Sequence, residues 1–336
     1  MTATVRPRRV LVTGAGGFIG HHLVAQLKKE GAWVRGVDLK HPEYAPTAAD
    51  EFEIRDLREW GHCLDATREV DDVYALAADM GGMGFISCHH AEILHNNLLI
   101  STHTLEAARK NGVGRYLYTS SACVYPEYRQ TDAAVEPLKE EEAYPAQPQD
   151  AYGWEKLVTE RLCMHYAEDY KMDVRVVRFH NIFGPLGTWD GGREKAPAAM
   201  CRKIANAKLT GKHEIEIWGD GEQTRSFCYI DDCVNGIRRL MDSDYNQPIN
   251  LGQDRLISIN ALADLVSAAA GITVKKRHIP GPQGVRGRNS DNSRLRDILG
   301  WEPEISLEKG LARTYAWIEQ QVTRSLRREE PAYAAD

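Results

Sequence analysis

Two short segments of the chain carry side chains that could act together in one reaction. Ser121 and Cys123 follow an aromatic-rich stretch that is predicted to be a strand, and Pro126 ends that stretch. Ligands in an open α/β sheet usually lie at the carboxyl ends of the strands, so we expect both side chains at an active site. Tyr152 and Lys156 are four residues apart on a predicted helix and share one face. We predict that the two segments form a single site.

The first 38 residues have the pattern of a dinucleotide-binding unit. Residues 10–13 are predicted to be a strand, residues 21–29 a helix and residues 33–37 a second strand. The glycines between them would permit a tight turn, a close approach to a diphosphate and close packing of helix on strand. The N-terminus of the helix would offer free N–H groups to the phosphates. Asp38, at the end of the second strand, suits ribose hydroxyls and would repel a 2′-phosphate, which predicts NAD rather than NADP.

The Tyr152 and Lys156 pair then indicates the chemistry of alcohol oxidation. A free tyrosine titrates near pH 10, so a tyrosine base near neutrality needs a shift of about 3 units, or about 4 kcal/mol. The charge of Lys156, the nicotinamide charge and a hydrogen bond from Ser121 are together a plausible source. Such a base removes an alcohol proton while a hydride leaves to NAD⁺. The alternative is an aromatic core residue beside a lysine that extends toward solvent.

Strands alternate with helices as far as residue 179, which predicts an α/β fold with a doubly wound, Rossmann-like parallel sheet. Beyond it we expect a smaller C-terminal α/β substrate lobe. Residues 184–198 are rich in Gly and Pro and are predicted to be a substrate loop, and residues 215–230 a hairpin. The predicted division is 1–183 for the NAD-binding domain with a return segment near 228–258, 184–330 for the interleaved substrate lobe, and 325–336 for a disordered tail.

Composition and charge exclude several classes of protein. Of 336 residues, 42 are Lys or Arg and 48 are Asp or Glu, so the net charge of −6 gives no support for nucleic-acid binding. No apolar run approaches 18 residues, and the basic N-terminus lacks a following apolar region, so we expect neither a membrane span nor a signal peptide. Seven cysteines without a C-x-x-C pair predict a reduced, cytoplasmic chain with no metal site and no disulfide framework.

These features resemble the extended, nucleotide-sugar branch of the short-chain dehydrogenase/reductase superfamily. The glycine turn, Asp38, Ser121 and the Tyr152–Lys156 pair correspond to the motifs of that superfamily. Longer strings are similar to the GDP-mannose 3,5-epimerases within the branch, and the likeness covers about residues 9–320. The strings are residues 77–85, 120–127, 148–153, 178–185, 191–199, 218–221, 223–227 and 284–291.

The resemblance implies a reaction at carbons 3 and 5 of GDP-mannose. Tyr152, Lys156 and Ser121 would serve a transient oxidation at C4 by bound NAD, and the ketone would acidify both neighbouring carbons. Cys123 and Lys195 would then exchange protons with those carbons from opposite faces of the sugar. The implied product is GDP-L-galactose, with GDP-L-gulose as an open second product. Most members of the branch are homodimers that pair through the helices corresponding to residues 91–110 and 151–171.

The residues alone leave the roles of Cys123 and Lys195 open. A free cysteine is most often a small buried hydrophobe. A lysine beside Arg193 and Glu194 in a polar loop can equally be an ordinary solvated surface residue without a catalytic role. A thiol near a cation ionises more readily, and a desolvated lysine gives up its proton more readily, so both could do acid–base chemistry if they meet.

The resemblance also implies two sets of binding residues. The cofactor positions are Gly14, Gly17, Phe18, Ile19, Gly20, Asp38, Asp56, Leu57, Ala77, Tyr152 and Lys156. The positions implied for the nucleotide sugar are Gly81, Ser121, Ala122, Cys123, Asn181, Glu194, Lys195, Ala196, Lys203, Gln223, Thr224, Arg225 and Arg288. Arg286 lies close to the last of these in the chain.

Two other functions remain open at this stage. One is a different NAD-dependent epimerase or a dehydratase of the same branch. The 4,6-dehydratases have an Asp-Glu pair where this chain has Ala122 and Cys123, and simple 4-epimerases have a non-ionising residue at the position of Cys123. The other is a non-catalytic NAD-sensing protein of the same fold. The presence of all the reactive side chains argues against it, and these are Tyr152, Lys156, Cys123 and Lys195.

Overall fold

A parallel sheet of seven strands forms the centre of the protein in the computed structural model, which describes residues 6–329. The strand order is β11-β6-β5-β4-β1-β2-β3, and all neighbouring pairs are parallel. The predicted doubly wound parallel sheet is therefore confirmed. The strands are β1 (Arg9–Thr13), β2 (Trp33–Asp38), β3 (Glu51–Ile54), β4 (Asp72–Ala75), β5 (Arg115–Ser121), β6 (Val174–Phe179) and, after four short strands outside this sheet, β11 (Pro248–Leu251).

The strands at the middle of the sheet are buried along most of their length, because helices cover both faces. All four residues of β4 and the first five of β6 are buried. Five longer helices follow the order expected for a doubly wound fold, and a short helix of 4 residues precedes the third of them. They are α1 (Phe18–Lys29), α2 (Trp60–Ala66), α3 (Met83–Ile86), α4 (His90–Lys110), α5 (Ala151–Tyr170) and, beyond α6, α7 (Ile230–Asp242).

The strand order reverses between β1 and β4, so the loops after these two strands diverge and leave a crevice. The turn into α1 follows β1, and Ala77 follows β4. The segment with Ser121 and Cys123 leaves the carboxyl end of β5, next to β4. The fold thus brings the predicted cofactor residues and the predicted catalytic residues to one edge of the sheet.

The C-terminal half adds helices and small sheets around this edge. The short strands are β7 (Ile182–Phe183), β8 (Glu214–Trp218), β9 (Thr224–Arg225), β10 (Cys228–Tyr229), β12 (Ile257–Ser258), β13 (Lys275–Ile279) and β14 (Gly287–Arg288). The helices are α6 (Ala196–Thr210), α8 (Ile259–Ala270), α9 (Ser293–Leu299) and α10 (Leu307–Glu329). One apolar core includes residues of α6, α8 and α10 together with residues of the large sheet.

Three details differ from the sequence-based expectations. The hairpin predicted over residues 215–230 is wrong, because β8 pairs in parallel with β13 and β9 pairs with β12 and β14. The loop predicted over residues 184–198 ends at Lys195, and α6 begins at Ala196. Helix α10 runs to Glu329 and so includes residues 325–329 of the predicted tail, whose remaining residues lie outside the described range.

Within residues 6–329, no helix combines the length and the apolar character that a membrane crossing needs.

Candidate active site

The turn between β1 and α1 is built from glycines that leave no room for side chains. Gly14 has φ +69°, in the left-handed region, and a Cβ there would lie 2.9 Å from the Ala77 nitrogen. A Cβ at Gly20 would lie 2.1 Å from the Gly14 carbonyl oxygen. The backbone of the turn is therefore held close to the end of β4 and to the first turn of α1. This is the cradle that a dinucleotide diphosphate needs.

Gly16 is a further member of this cradle and was not among the predicted cofactor residues. A Cβ at Gly16 would lie 2.1 Å from the Lys40 carbonyl oxygen and 3.1 Å from Cγ of Asp38. Its N–H donates to Oδ2 of Asp38 at 2.9 Å, and the N–H of Leu39 donates to Oδ1 at 2.6 Å. These bonds fix Asp38 beside the glycine turn, and the Gly-Gly pair in the printed sequence was the signal for it.

The first turn of α1 presents free N–H groups. Its N-cap is Gly17, which has no side chain to bond them, and its first turn holds no acidic residue. A phosphate is a suitable partner for these groups. Phe18 and Ile19 begin the helix and line the same turn, and a cavity of about 70 Å³ lies beside Gly17 and Phe18. The residues present therefore fit a dinucleotide.

The remaining predicted cofactor positions surround the crevice. Ala77 follows β4, and its N–H donates to the hydroxyl of Thr13 at 3.1 Å. Leu57 is buried. The carboxylate of Asp56 is engaged by Arg58, whose hydrogen bonds lower the pKa of Asp56. Contact of Asp56 and Leu57 with a cofactor stays a prediction.

Tyr152 and Lys156 lie in the first two turns of α5 and are both buried, at 6% and 2% relative exposure. The helix starts with a side-chain cap, since Asp150 accepts a hydrogen bond from the N–H of Gly153 at 2.8 Å. The ammonium of Lys156 lies 5.4 Å from the ring centre of Tyr152 and 4.9 Å from that of Tyr118. The predicted shared face of the helix is what the structure has.

The electrostatics of Tyr152 differ from the expectation. Burial raises the pKa of Tyr152 well above its ordinary value, the charges of Glu155 and Cys123 raise it further, and a hydrogen bond with Ser121 lowers it. The protein groups alone therefore favour the neutral phenol, because desolvation opposes the tyrosinate. A working base at this position needs added positive charge, as the positively charged nicotinamide ring of NAD⁺ would supply.

Cys123 is half-buried and lies immediately after β5. Its N–H donates to Oγ of Ser121 at 3.2 Å, and Nη1 of Arg288 donates to its sulfur at 3.2 Å. The sulfur also packs with the apolar cluster that includes Tyr152 and Phe85. The buried-hydrophobe interpretation suits five other cysteines, which are fully enclosed: Cys63, Cys163, Cys201, Cys228 and Cys233.

Lys195 is the residue immediately before α6, and it is exposed. The residue keeps contact with solvent, yet desolvation by the surrounding protein lowers the pKa of its ammonium, while the charges of Cys123 and Cys233 raise it. The effect of Cys123 on this pKa shows that the charges of the two side chains influence each other. Their joint action on one substrate stays a prediction.

Arg225 and Arg288 add positive charge beside Cys123. The guanidinium of Arg225 donates to the carbonyls of Thr224 and Val285, both at 2.7 Å. Burial and the charge of Arg288 lower the pKa of Arg225 to about 9, while Cys123 raises it. Arg288 is buried, and its Nε donates to Oε1 of Gln130 at 2.5 Å. Two guanidinium groups enclosed so close together are suited to a diphosphate.

Arg286 points elsewhere. It forms two hydrogen bonds with Asp220, at 2.8 and 2.9 Å, on the exposed surface. This is the surface ion pair that a loop arginine commonly makes, and such pairs contribute little to stability.

The other predicted substrate positions lie around the cleft with partners of their own. Asn181 has φ +48° and donates to the carbonyl of Ser226, and Thr224 donates to the carbonyl of Ala133. Lys203 donates to the carbonyl of Glu216 at 2.6 Å, and burial is the largest cause that lowers its pKa. Glu194 accepts from Arg202 at 2.6 Å. The rest of the set is Gly81 and Ala122, both buried, Ala196 at the start of α6, and Gln223, whose Oε1 is buried without a partner among the described residues.

Helix α3 and the loop before Lys195 hold each other in place. The N–H of Gly82 donates to the carbonyl of Arg193 at 3.0 Å, and a Cβ at Gly82 would lie 2.6 Å from the carbonyl oxygen of Glu194. The guanidinium of Arg193 lies 3.8 Å from the ring centre of Phe85. Neither Gly82 nor Phe85 was predicted as a site residue, although the Gly81-Gly82 pair was a signal of close backbone contact.

A cavity of about 720 Å³ lies away from this site, between the segment around Tyr144, helix α5 and helix α9. None of the predicted catalytic residues lines it. Charged side chains line it and are largely paired with one another, as in the buried contact between Arg178 and Glu160. Among residues 6–329 no cluster of His, Cys, Asp and Glu could hold a metal ion.

Comparison with known proteins identifies the family. The family described as "NAD dependent epimerase/dehydratase family" matches residues 10–252. The chain is 52% identical to "GDP-mannose 3,5-epimerase 1" of Oryza sativa subsp. indica, over 94% of this chain and 82% of the rice protein. The structure of a UDP-glucose 4-epimerase from Thermotoga maritima with UDP-glucose superposes with a TM-score of 0.83, at 26% identity, over 94% of this chain and 99% of that one.

A second solved structure, the UDP-glucuronic acid 4-epimerase of Bacillus cereus in complex with UDP-glucuronic acid and NAD, has a TM-score of 0.78. It is 27% identical and covers 93% of this chain and 99% of its own. The glycine cradle, the Tyr152–Lys156 pair and these matches lead to one conclusion. The chain belongs to the NAD-dependent epimerase/dehydratase family.

Proposed function

We propose that this protein is a GDP-mannose 3,5-epimerase that uses NAD catalytically. The observation that supports the proposal most is that Cys123 packs with the cluster that holds Tyr152, while its charge also acts on Lys195. The rice relative that bears this enzyme name is 52% identical over nearly the whole chain. The product is GDP-L-galactose, with GDP-L-gulose as the second sugar that incomplete inversion would give.

The first part of the reaction takes place at the C4 hydroxyl of the sugar. Bound NAD would supply an acceptor for the hydride from C4 and would supply the same hydride for the return step, so the net reaction is not a redox change. Tyr152 removes the hydroxyl proton and holds it on its phenolic oxygen until the ketone is reduced again. Lys156 and Ser121 stabilise the charged form of Tyr152. Gly14, Gly16, Gly17 and Asp38 are the residues that would hold the cofactor.

The second part takes place at the carbons beside the ketone. The C4 ketone delocalises the charge that remains when a proton leaves C3 or C5, so each carbon becomes acidic enough for a side chain to deprotonate. One group removes the proton from one face of the ring, and a second group delivers a proton to the other face. We assign these roles to Cys123, which leaves β5, and to Lys195, which approaches from α6. The lowered pKa of Lys195 makes its ammonium a better proton donor.

The diphosphate of the substrate belongs with the arginines. Arg225 and Arg288 lie beside Cys123, and guanidinium groups bind phosphate oxygens in a fork geometry. Lys203, on α6, supplies a further cation on the side of Lys195. These contacts would place the sugar ring between the thiol and the ammonium.

The alternatives fit the site less well. A dehydratase needs a carboxylate pair after the serine, and this chain has Ala122 and Cys123 there. A simple 4-epimerase needs no ionising side chain at the position of Cys123. A protein that only senses NAD needs neither Tyr152 nor Lys195.

Incubation of the purified protein with GDP-mannose in deuterated water tests the proposal. We expect deuterium at both C3 and C5 of the recovered sugars, together with conversion to GDP-L-galactose. Deuterium at C5 with loss of water would instead identify a dehydratase. Recovery of unlabelled GDP-mannose as the sole sugar would refute the proposed activity.

We further infer that two copies pair through α4 and α5. The outer face of α5 exposes Trp154 at 42% and Val158 at 50%, and Leu94 and Leu98 on α4 are half-buried. Apolar faces of two neighbouring helices are suited to a four-helix contact with a second copy. Sedimentation should give the mass of two chains, and Val158→Lys should give one. A wild-type protein with the mass of one chain would contradict this inference.

A further inference from the structure

A carboxylate with no exposed surface lies next to Lys156. Glu155 has 0% relative exposure, and Oε1 of its carboxylate is 3.6 Å from the Lys156 ammonium. A buried charge is stable only where it is paired and hydrogen-bonded. The proposed mechanism has no role for this residue, although it lies within the first two turns of α5 with Tyr152.

Side chains from two neighbouring elements hold the carboxylate in place. Nδ2 of Asn97, on α4, donates to Oε1 at 3.0 Å, and the hydroxyl of Tyr118, on β5, lies 3.5 Å from Oε2. Asn97 is itself fixed, because its Oδ1 accepts from the N–H of Asp79 at 2.6 Å and its Nδ2 donates to the Asp79 carbonyl at 3.0 Å. The carboxylate is thus part of a rigid cluster that joins α4, α5 and the end of β4.

The cluster also sets the position of the lysine. The Lys156 ammonium lies over the rings of Tyr118 and Tyr152, and Glu155 contacts it from the side. A flexible lysine stem loses rotamer freedom when it is held in this way, so the carboxylate fixes the distance between the ammonium and Tyr152.

We propose that Glu155 is a positioning residue for hydride transfer, which holds the Lys156 ammonium beside Tyr152 and sets the pH range in which Tyr152 works as a base. The proposal rests on the proposed function, in which Tyr152 removes the proton of the C4 hydroxyl. Glu155 acts through its neighbours and need not touch the sugar.

The direction of the effect follows from the charges that face Glu155. These are Lys156 and Tyr152 on its own helix, the Tyr118 hydroxyl on β5, and the Asp79 carboxylate beyond Asn97. The charge of Glu155 raises the pKa of Tyr152, and burial raises the pKa of Glu155 itself while Lys156 lowers it. A neutral side chain at this position should therefore allow Tyr152 to lose its proton at lower pH.

The test is the pH dependence of the hydride step in Glu155→Gln and Glu155→Asp. Each protein, loaded with NAD, is mixed with GDP-mannose, and the absorbance of bound NADH at 340 nm is followed from pH 6 to pH 9. In a plot of the rate of NADH formation against pH, the acidic limb is the part in which the rate rises with pH. For Glu155→Gln we expect this limb to move about one pH unit lower, because one charge at such a distance shifts a pKa by about that amount. Glu155→Asp keeps the charge and should keep the wild-type limb.

Two controls separate this role from a structural one. Glu140→Gln makes the same chemical change at another buried carboxylate, which accepts a hydrogen bond from the N–H of Asn250. This variant should leave the pH profile of the hydride step unchanged. The affinity of the substrate-free variants for NAD, measured by tryptophan fluorescence, should stay within about threefold of the wild type, because the diphosphate site is elsewhere.

Tyr118→Phe provides a second test variant. It removes one hydrogen-bond donor from the Glu155 carboxylate and should shift the acidic limb in the same direction as Glu155→Gln by a smaller amount.

The outcomes are distinct. An unchanged profile in Glu155→Gln, or an equal loss at every pH in the Gln and Asp variants, would overturn the role of Glu155. If Glu155→Gln does not fold, the Tyr118→Phe profile decides, and an unshifted limb there overturns the role. A wild-type protein that forms neither bound NADH nor product would refute the proposed function itself.

Discussion

A single methyl group at Gly153 should reduce turnover strongly in a protein that still folds. Gly153 follows Tyr152 in the first turn of α5 and packs against the segment that carries Cys123. A Cβ at this position would lie 2.2 Å from the carbonyl oxygen of Cys123 and 2.9 Å from its carbonyl carbon. Close carbon–oxygen contacts in proteins are about 3.3 Å, so the helix and the Cys123 segment must separate by about 1 Å.

The consequence for Gly153→Ala can be worked out in two parts. A displacement of about 1 Å between catalytic groups typically costs about 100-fold in rate, because the reacting atoms lose their alignment. The overpacking costs about 1–3 kcal/mol of folding free energy, of which about 0.5–1 kcal/mol is recovered because alanine is the better helix former. We therefore expect a folded protein with turnover reduced by about 10- to 100-fold.

Gly61→Ala is the matched control. Gly61 is exposed in α2, and a Cβ there would meet nothing within 4 Å. This variant should gain about 0.5–1 kcal/mol in stability and keep full activity. Turnover is measured by separation of the GDP-sugars, and stability by urea unfolding. Wild-type turnover in Gly153→Ala would show that the contact with Cys123 does not position Tyr152.

Three further predictions concern the buried polar groups and the cofactor. Arg178 donates two hydrogen bonds to Glu160, at 2.9 and 2.7 Å, in the core; Arg178→Met should destabilise the protein by about 3–5 kcal/mol in urea unfolding, and the additional change Glu160→Leu should recover much of that loss. Burial lowers the pKa of His180 to about 3, so the unfolded chain binds a proton that the folded protein refuses, and stability is lost as the pH falls from about 6.5 toward 3. Between pH 7 and pH 4.5 the unfolding free energy of His180→Gln should therefore fall by about 2–3 kcal/mol less than that of the wild type, and an equal fall would contradict this reasoning. Asp38→Asn removes a charged acceptor and should weaken NAD binding by about 10- to 100-fold in a fluorescence titration. The ratio of the affinity for NAD to the affinity for NADP should fall as well. Unchanged affinity for NAD would show that Asp38 does not contact the cofactor.

The parts of the structure that depend on local sequence could be predicted. The β1–α1 turn, Asp38 and the Tyr152–Lys156 face follow from glycine geometry, strand ends and helical spacing, and each of these patterns lies within one short segment of the chain. The order of helices and strands is also local, and it limits the sheet to a parallel, doubly wound topology.

The parts that depend on distant contacts could not be predicted from spacing. Arg288 contacts the sulfur of Cys123 across 165 residues of chain. The resemblance to a family, not the spacing, brought Lys195 to the same site. The hairpin prediction failed because alternation identifies a strand but not its partner, which for β8 is β13. The burial of Glu155 was equally invisible, since a charged side chain beside Lys156 looks like surface composition.

The proton-exchange role of Cys123 is tested most directly by Cys123→Ala with two simultaneous measurements. The variant is mixed with GDP-mannose in deuterated water, and bound NADH and deuterium at C5 are followed together. We predict that NAD binding and NADH formation persist, whereas exchange at C5 falls by at least about 100-fold, because the C4 ketone forms but loses its base. Exchange at C5 at the wild-type rate would contradict the assignment of Cys123.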